Sequence, residues 1–231
     1  MDSKRFLNEL YSEFTDGDGF DKYCLREYCD RGVFIMGKNK EMLRCFFRVM
    51  RNNEEEIKKV VPDIYCENFY TIDVNSFIKR EINKLIIDID GTILPADSIE
   101  VPLELVEKIA YFKDNGMDMC LVSNNGYERV LPVAEKLDIN IFLANASKPL
   151  PQCFDNVVDL FETNKKSELV MIGDQMLSDI KGASEYGIRT CLVRPISKHQ
   201  NIKTGTSRML QDVMEHHLAR KRVFDKNKYY N

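Results

Sequence analysis

The sequence predicts an α/β protein, with a Rossmann-like parallel sheet carrying helices on both faces and a helical N-terminal extension ahead of it. Two observations carry this expectation. From Lys84 onward, short apolar runs alternate with amphipathic stretches, as strands alternate with crossover helices in a parallel sheet. In addition, Asp88, Asp90, Ser123 and Asp174 all fall at or just beyond the ends of apolar runs, the edge where such sheets bind ligands.

Residues 1–57 read as the helical extension, punctuated by Gly17, Gly19, Gly32 and Gly37. Within it, Lys40–Met50 puts Met42, Leu43, Phe46, Phe47, Val49 and Met50 on one broad apolar face. Residues 58–224 read as the main domain. Its strands are expected at 85–89, 119–122, 141–143, 169–172 and 190–193. Helices are expected at 102–115, 126–137 (with Pro132 inside), 151–163, 178–186 and 204–222. In the last, Met209, Leu210, Val213, Met214 and Leu218 form a stripe suited to packing on the core. Residues 225–231 read as a polar tail.

Composition excludes several classes. With 44% hydrophobic and 30% charged residues, the chain suits a soluble globular protein and argues against disorder or fibre. No apolar run approaches the ~18 residues of a membrane span, and the N-terminus lacks a secretory signal, so a cytoplasmic location is expected. The seven cysteines are odd in number and scattered, which suits reduced thiols. Cys24 and Cys29 lack the second pair a zinc site needs. Asp16 to Glu27 resembles a calcium loop in outline, but Phe20 stands where an oxygen ligand belongs. His199, His216 and His217 have no ligand spacing.

Charge is unevenly distributed. Residues 62–197 carry 13 basic and 22 acidic side chains, whereas residues 198–231 carry 8 and 3. The acidic centre argues against nucleic acid as a partner and suits carboxylates gathered around a cation. The basic end, with Arg220-Lys221-Arg222, predicts weak peripheral contact with an anionic membrane.

The strongest chemical signal is Asp88-Ile89-Asp90-Gly91-Thr92, directly after Leu85-Ile86-Ile87. Acids crowded at a strand end repel one another unless a divalent ion joins them, and hard oxygen donors favour Mg²⁺. Thr92 offers a hydroxyl and a backbone N–H to a phosphate. Ser123, in Leu121-Val122-Ser123-Asn124-Asn125, offers another hydroxyl at the next strand end. Lys148, before Pro149, supplies a cation, and Asp174 and Asp179 follow the fourth expected strand. Singly, each has a bland reading: a turn, an N-cap, a surface lysine, a charge at a helix start.

Taken in order, the four elements resemble the motifs of the haloacid dehalogenase (HAD) phosphatase superfamily. That resemblance implies Asp88 as nucleophile and Asp90 as general acid, then base. It implies Thr92, Ser123, Asn124 and Lys148 on the phosphate, and a Mg²⁺ held by Asp88, the main-chain carbonyl of Asp90, Asp174 and Asp179. One branch is similar over residues 58–224, the subfamily IIIA or YqeG-like proteins related to phosphatidylglycerophosphate phosphatases. The shared features are Val61-Pro62-Asp63-Ile64-Tyr65, Ile72-Asp73, Ser123-Asn124-Asn125, Glu128-Arg129-Val130, Lys148-Pro149, Gly173-Asp174-Gln175 and Leu192-Val193-Arg194-Pro195. Gly91 departs from the Asn often found at that place in the branch.

Ser123 follows Thr92 by 31 positions, and Lys148 follows Ser123 by 25. A strand and a helix fill most of each interval, so no large cap domain is expected. An open site suits a large or lipid phosphate monoester, or a lid from a second copy in a homo-oligomer. Three readings follow: a phosphatase acting on phosphatidylglycerophosphate, a phosphatase for a soluble sugar, nucleotide or biosynthetic intermediate, and a catalytically silent binding or regulatory module.

Overall fold

A computed structural model describes residues 40–196 and 202–230. The Asp16–Glu27 segment, the Cys24 and Cys29 pair, the four N-terminal glycines and His199 lie outside the described residues.

Six parallel strands form one sheet in the order β1-β6-β5-β2-β3-β4. They are β1 (Ile64–Cys66), β2 (Lys84–Asp88), β3 (Asp118–Val122), β4 (Ile141–Leu143), β5 (Leu169–Gly173) and β6 (Arg189–Val193). The helices are α1 (Lys40–Met50), α2 (Glu54–Val60), α3 (Val74–Ile78), α4 (Leu103–Asp114), α5 (Tyr127–Lys136), α6 (Pro151–Leu160), α7 (Lys181–Tyr186) and α8 (Ile202–Arg220). The fold is the expected Rossmann-like α/β layering; α3 is an added short helix, α2 runs across the expected boundary at residue 57, and two further differences bear on the sheet. A single π-helical turn, Met176–Ile180, precedes α7 where a longer helix is expected. The edge strand β1 is additional: three residues after Pro62 are too few for an alternation to register. It pairs along its length with β6, and Asp63 anchors its start: its Oδ2 accepts from the Thr190 N–H at 2.8 Å and the Thr190 hydroxyl at 2.9 Å.

Alternation along the strands feeds two cores, because successive side chains point to opposite faces. Leu85 and Ile87 pack with Leu105, Ile109 and Phe112 of α4 and Val130 and Val133 of α5. Ile86 packs on the other side, with Cys153, Phe154 and Val157 of α6 and Ala183 of α7. A third cluster joins Tyr65 of β1 and Leu192 of β6 to α1 and to Leu210, Met214 and Leu218 of α8. All six apolar residues expected on the face of α1 are buried there. Each contributes about 1.5–3 kcal/mol on burial, enough to hold a helix of 11 residues that would be marginal alone. The C-terminal segment also docks: Tyr230 and Tyr65 exchange backbone hydrogen bonds of 2.7 and 2.8 Å, and Phe224 is buried.

Chain order places the reversal between β2 and β5. The path steps outward through β3 and β4, returns to β5 beside β2, then continues to β6. In open α/β sheets a ligand crevice opens at such a switch point, beyond the carboxyl ends of the strands. Asp88 ends β2 and Asp174 follows β5, one on each side of it. The connections above this edge, residues 89–102, 123–126 and 144–150, carry no cap domain. Among the described residues no helix is long and apolar enough to cross a membrane.

Candidate active site

The first loop is built to fold back on its own strand. Gly91 adopts a φ of +90°, a conformation L-residues rarely take, and its N–H donates to the Leu94 carbonyl at 2.7 Å. A Cβ at Gly91 would also stand 2.5 Å from Asp174 Oδ2, so the glycine answers both to conformation and to close approach. The turn returns Thr92 to the strand end, where its hydroxyl lies 3.2 Å from Asp88 Oδ2 and 3.4 Å from Asp174 Oδ1.

Lys148 reaches the same point from the loop after β4. Asn145 and Ser147 there have φ values of 52° and 62°. Asn124 then grips the lysine's backbone: its Oδ1 accepts from Lys148 N at 2.7 Å and its Nδ2 donates to Lys148 O at 3.2 Å. These two bonds fix the Lys148 backbone, and the second N–H of Asn124 Nδ2 leaves the expected phosphate contact open to it. The ammonium of Lys148 lies 2.5 Å from Asp88 Oδ1 and 2.8 Å from Asp179 Oδ1. Asp179 is held in turn by the Ser178 hydroxyl at 3.1 Å and the Gln175 N–H at 3.1 Å.

Asp88, Asp174 and Asp179 are all buried, and one oxygen from each lies within 4.8 Å of the others. Lys148 and Arg208, which pairs with Asp174 Oδ2, supply two positive charges for three negative ones. Burial raises the Asp88 carboxyl well above its usual range, with Lys148 opposing and Asp179 and Asp174 adding to the rise. Burial likewise pushes Asp174 up to about 6 against the pull of Arg208. Lys148 moves upward because its two carboxylates outweigh its burial. A buried, anionic set of hard oxygens short of one positive charge fits a divalent cation.

Asp90 does not join that trio through its side chain. Its carboxylate turns toward β3 and α5: Oδ2 accepts from the Ser123 hydroxyl at 3.1 Å and Asn125 Nδ2 at 2.8 Å, and Oδ1 from Arg129 Nε at 2.9 Å. The structure therefore gathers Asp88, Thr92, Lys148, Asp174 and Asp179 at one point, with Asp90, Ser123 and Asn124 linked alongside.

A family model described as "Mitochondrial PGP phosphatase" matches residues 41–197. The curated "Probable phosphatase YqeG" of Bacillus subtilis (strain 168) is 31% identical over 154 residues, spanning 67% of this chain and 88% of that one. The chain belongs to this family of YqeG-like phosphatases. Two solved structures are similar at lower level. One, from Listeria monocytogenes serotype 4b, is 20% identical, with a TM-score of 0.41 over 61% of this chain and 99% of that chain. The other is the cobalt-bound deoxy-D-mannose-octulosonate 8-phosphate phosphatase YrbI of Haemophilus influenzae, 14% identical, with a TM-score of 0.39 over 64% and 95%.

This phosphatase, a phosphomonoesterase by family, has site neighbours that its motifs do not announce. The family match begins at residue 41 and so takes in α1 and α2, ahead of the motif-bearing stretch from 58. From α8, Arg208 pairs with Asp174, and Gln211 Nε2 donates to the Asp174 carbonyl at 3.1 Å. Gln211 Oε1 also accepts from Met176 N at 3.0 Å. From α5 comes Arg129, which lies in the Glu128-Arg129-Val130 run shared with the branch, although its contact with Asp90 is not part of that resemblance. No motif spacing marks Arg208 or Gln211 on α8.

Proposed function

We propose that this phosphatase hydrolyses phosphate monoesters through an aspartyl-phosphate on Asp88, with Mg²⁺ as its ion. The observation that carries the reading is the buried Asp88 carboxylate held between Lys148 at 2.5 Å and Thr92 at 3.2 Å, at the switch point of the sheet. Mg²⁺ would be held by Asp88, the main-chain carbonyl of Asp90 and Asp174, with Asp179 beside them, and it would supply charge neutralisation at the phosphoryl oxygens.

An Asp88 oxygen attacks phosphorus in line, forming an acyl phosphate as the bond to the leaving oxygen breaks. Asp90 gives its proton to that leaving oxygen. Thr92, Ser123 and Lys148 hold the phosphoryl oxygens, with Asn124 fixing Lys148 from behind. Asp90, now ionised, takes a proton from water, which attacks phosphorus, restores Asp88 and releases phosphate. Asp88→Asn should remove turnover while leaving the fold intact. An acid quench and intact-mass measurement should show a phosphate adduct on the parent and none on the variant; near-normal turnover of the variant would rule out covalent catalysis at Asp88.

The family description and the uncapped mouth support phosphatidylglycerophosphate as substrate. Phosphate release from that lipid dispersed in detergent, against a panel of soluble monoesters with Mg²⁺, separates the lipid reading from a soluble one. Silence toward both would favour a binding module. A cytoplasmic location, with weak peripheral contact through the basic C-terminal region, would suit such a substrate.

A further inference from the structure

Arg129, the third residue of α5, sends its guanidinium to the loop that carries Asp90. Nε lies 2.9 Å and Nη2 2.8 Å from Asp90 Oδ1. Nη2 also donates to the Pro95 carbonyl at 2.9 Å, and Nη1 donates to the Ser98 carbonyl. One planar cation thus ties the carboxylate of residue 90 to both carbonyls of the loop that follows it. The pair is largely withdrawn from water, with side-chain exposures of 13% and 12%. A guanidinium's fixed fork suits this use in a way a flexible ammonium does not.

The two oxygens of Asp90 consequently have different surroundings. Oδ1 faces Arg129 alone, through two of its nitrogens. Oδ2 faces the Ser123 hydroxyl and the Asn125 amide. A serine hydroxyl has one proton to donate but can also accept. It can therefore turn to accept from a protonated Oδ2 while giving its own proton to a phosphoryl oxygen. Oδ1 has no such freedom.

We propose that Arg129 is a positioning residue for proton transfer: it locks Oδ1 of Asp90 so that Oδ2 alone carries the proton to and from the reacting oxygens. In phosphoryl transfer, the Asp88 oxygen-to-phosphorus bond forms, the bond to the leaving oxygen breaks, and the Oδ2 proton goes to that oxygen. In hydrolysis, Oδ2 takes a water proton as water oxygen bonds phosphorus and the Asp88 bond breaks. This rests on Asp90 being the acid and base of the reaction.

The test is kcat/KM, with Mg²⁺ present, over a series of monoesters from acidic aryl to alkyl leaving groups. Poor leaving groups need the proton most. Arg129→Ala should lower kcat/KM about 10–100-fold for alkyl esters and less than about 3-fold for the most acidic aryl ester, with KM nearly unchanged. Asp90→Asn should show the same slope more steeply. Arg129→Lys, which keeps the charge without the fork, should fall between and serves if the alanine variant folds poorly. A uniform loss across the series in the Arg129 variants, beside a steep slope for Asp90→Asn, overturns the role of Arg129 alone. A flat series for Asp90→Asn overturns the acid–base reading and this inference with it.

Discussion

Replacing Lys148 by Met probes the charge balance of the site most directly. The ammonium is buried and touches two buried carboxylates, at 2.5 and 2.8 Å, so its loss leaves three acids facing Arg208 alone. Removing one partner of a buried ion pair costs about 3–5 kcal/mol, a large share of the roughly 5–15 kcal/mol that holds a domain. With a urea m-value of about 2–3 kcal/mol per M, the midpoint of unfolding in EDTA at pH 7.5 should fall by about 1–2.5 M. The sign with pH follows from the carboxyls. Asp174 is raised from 3.8 to about 6 when folded, so the stability its proton brings is complete below pH 3.8 and lost as pH rises through 6. Asp88 is raised as well, and Lys148 restrains the rise at both. Without the lysine both carboxyls bind protons more readily, and near pH 5 Asp174, already raised to about 6, is neutral. The destabilisation should therefore shrink to less than half its pH 7.5 value at pH 5. Saturating Mg²⁺ should recover part of the loss at pH 7.5, and turnover should fall about 10²–10³-fold. Equal destabilisation at both pH values, or none at pH 7.5, would refute the charge argument and leave lost packing as the cause.

Gly91→Ala should weaken Mg²⁺ binding at least several-fold by calorimetry, because its φ of +90° and the 2.5 Å approach to Asp174 Oδ2 force the loop and the acid apart. Unchanged affinity would mean that the turn is not needed at the ion. Arg208→Ala should do the reverse and tighten Mg²⁺ binding, since the ion no longer displaces a guanidinium from Asp174; weaker binding would show that the arginine supports the site. In the parent protein, apparent Mg²⁺ affinity should hold above about pH 7 and decline below about pH 6, where protons occupy Asp174. A flat profile from pH 5 to 8 would contradict that. Arg220, Lys221 and Arg222 are exposed at the far end of α8 from Arg208, so we expect salt-sensitive co-sedimentation with anionic vesicles, of about 1 kcal/mol per cation. Sedimentation at background level in low salt would remove that contact.

The chain alone determined the layered α/β architecture and the acids at its strand ends, because both are local properties. Burial on two faces writes apolar runs into strands, and amphipathic periodicity marks the helices between them. Asp88, Ser123 and Asp174 each sit where such a run stops, and their chemistry was legible from that position. The edge strand β1 was not legible, since its three residues are defined by their pairing with β6, more than 120 positions away. The use of the Asn124 amide on Lys148, the turn of Asp90 toward Arg129 and the arrival of Arg208 and Gln211 at Asp174 were decided only by tertiary structure. Each depends on which helix end faces which loop across the sheet, and side chains brought together by packing leave no spacing in the sequence to announce them.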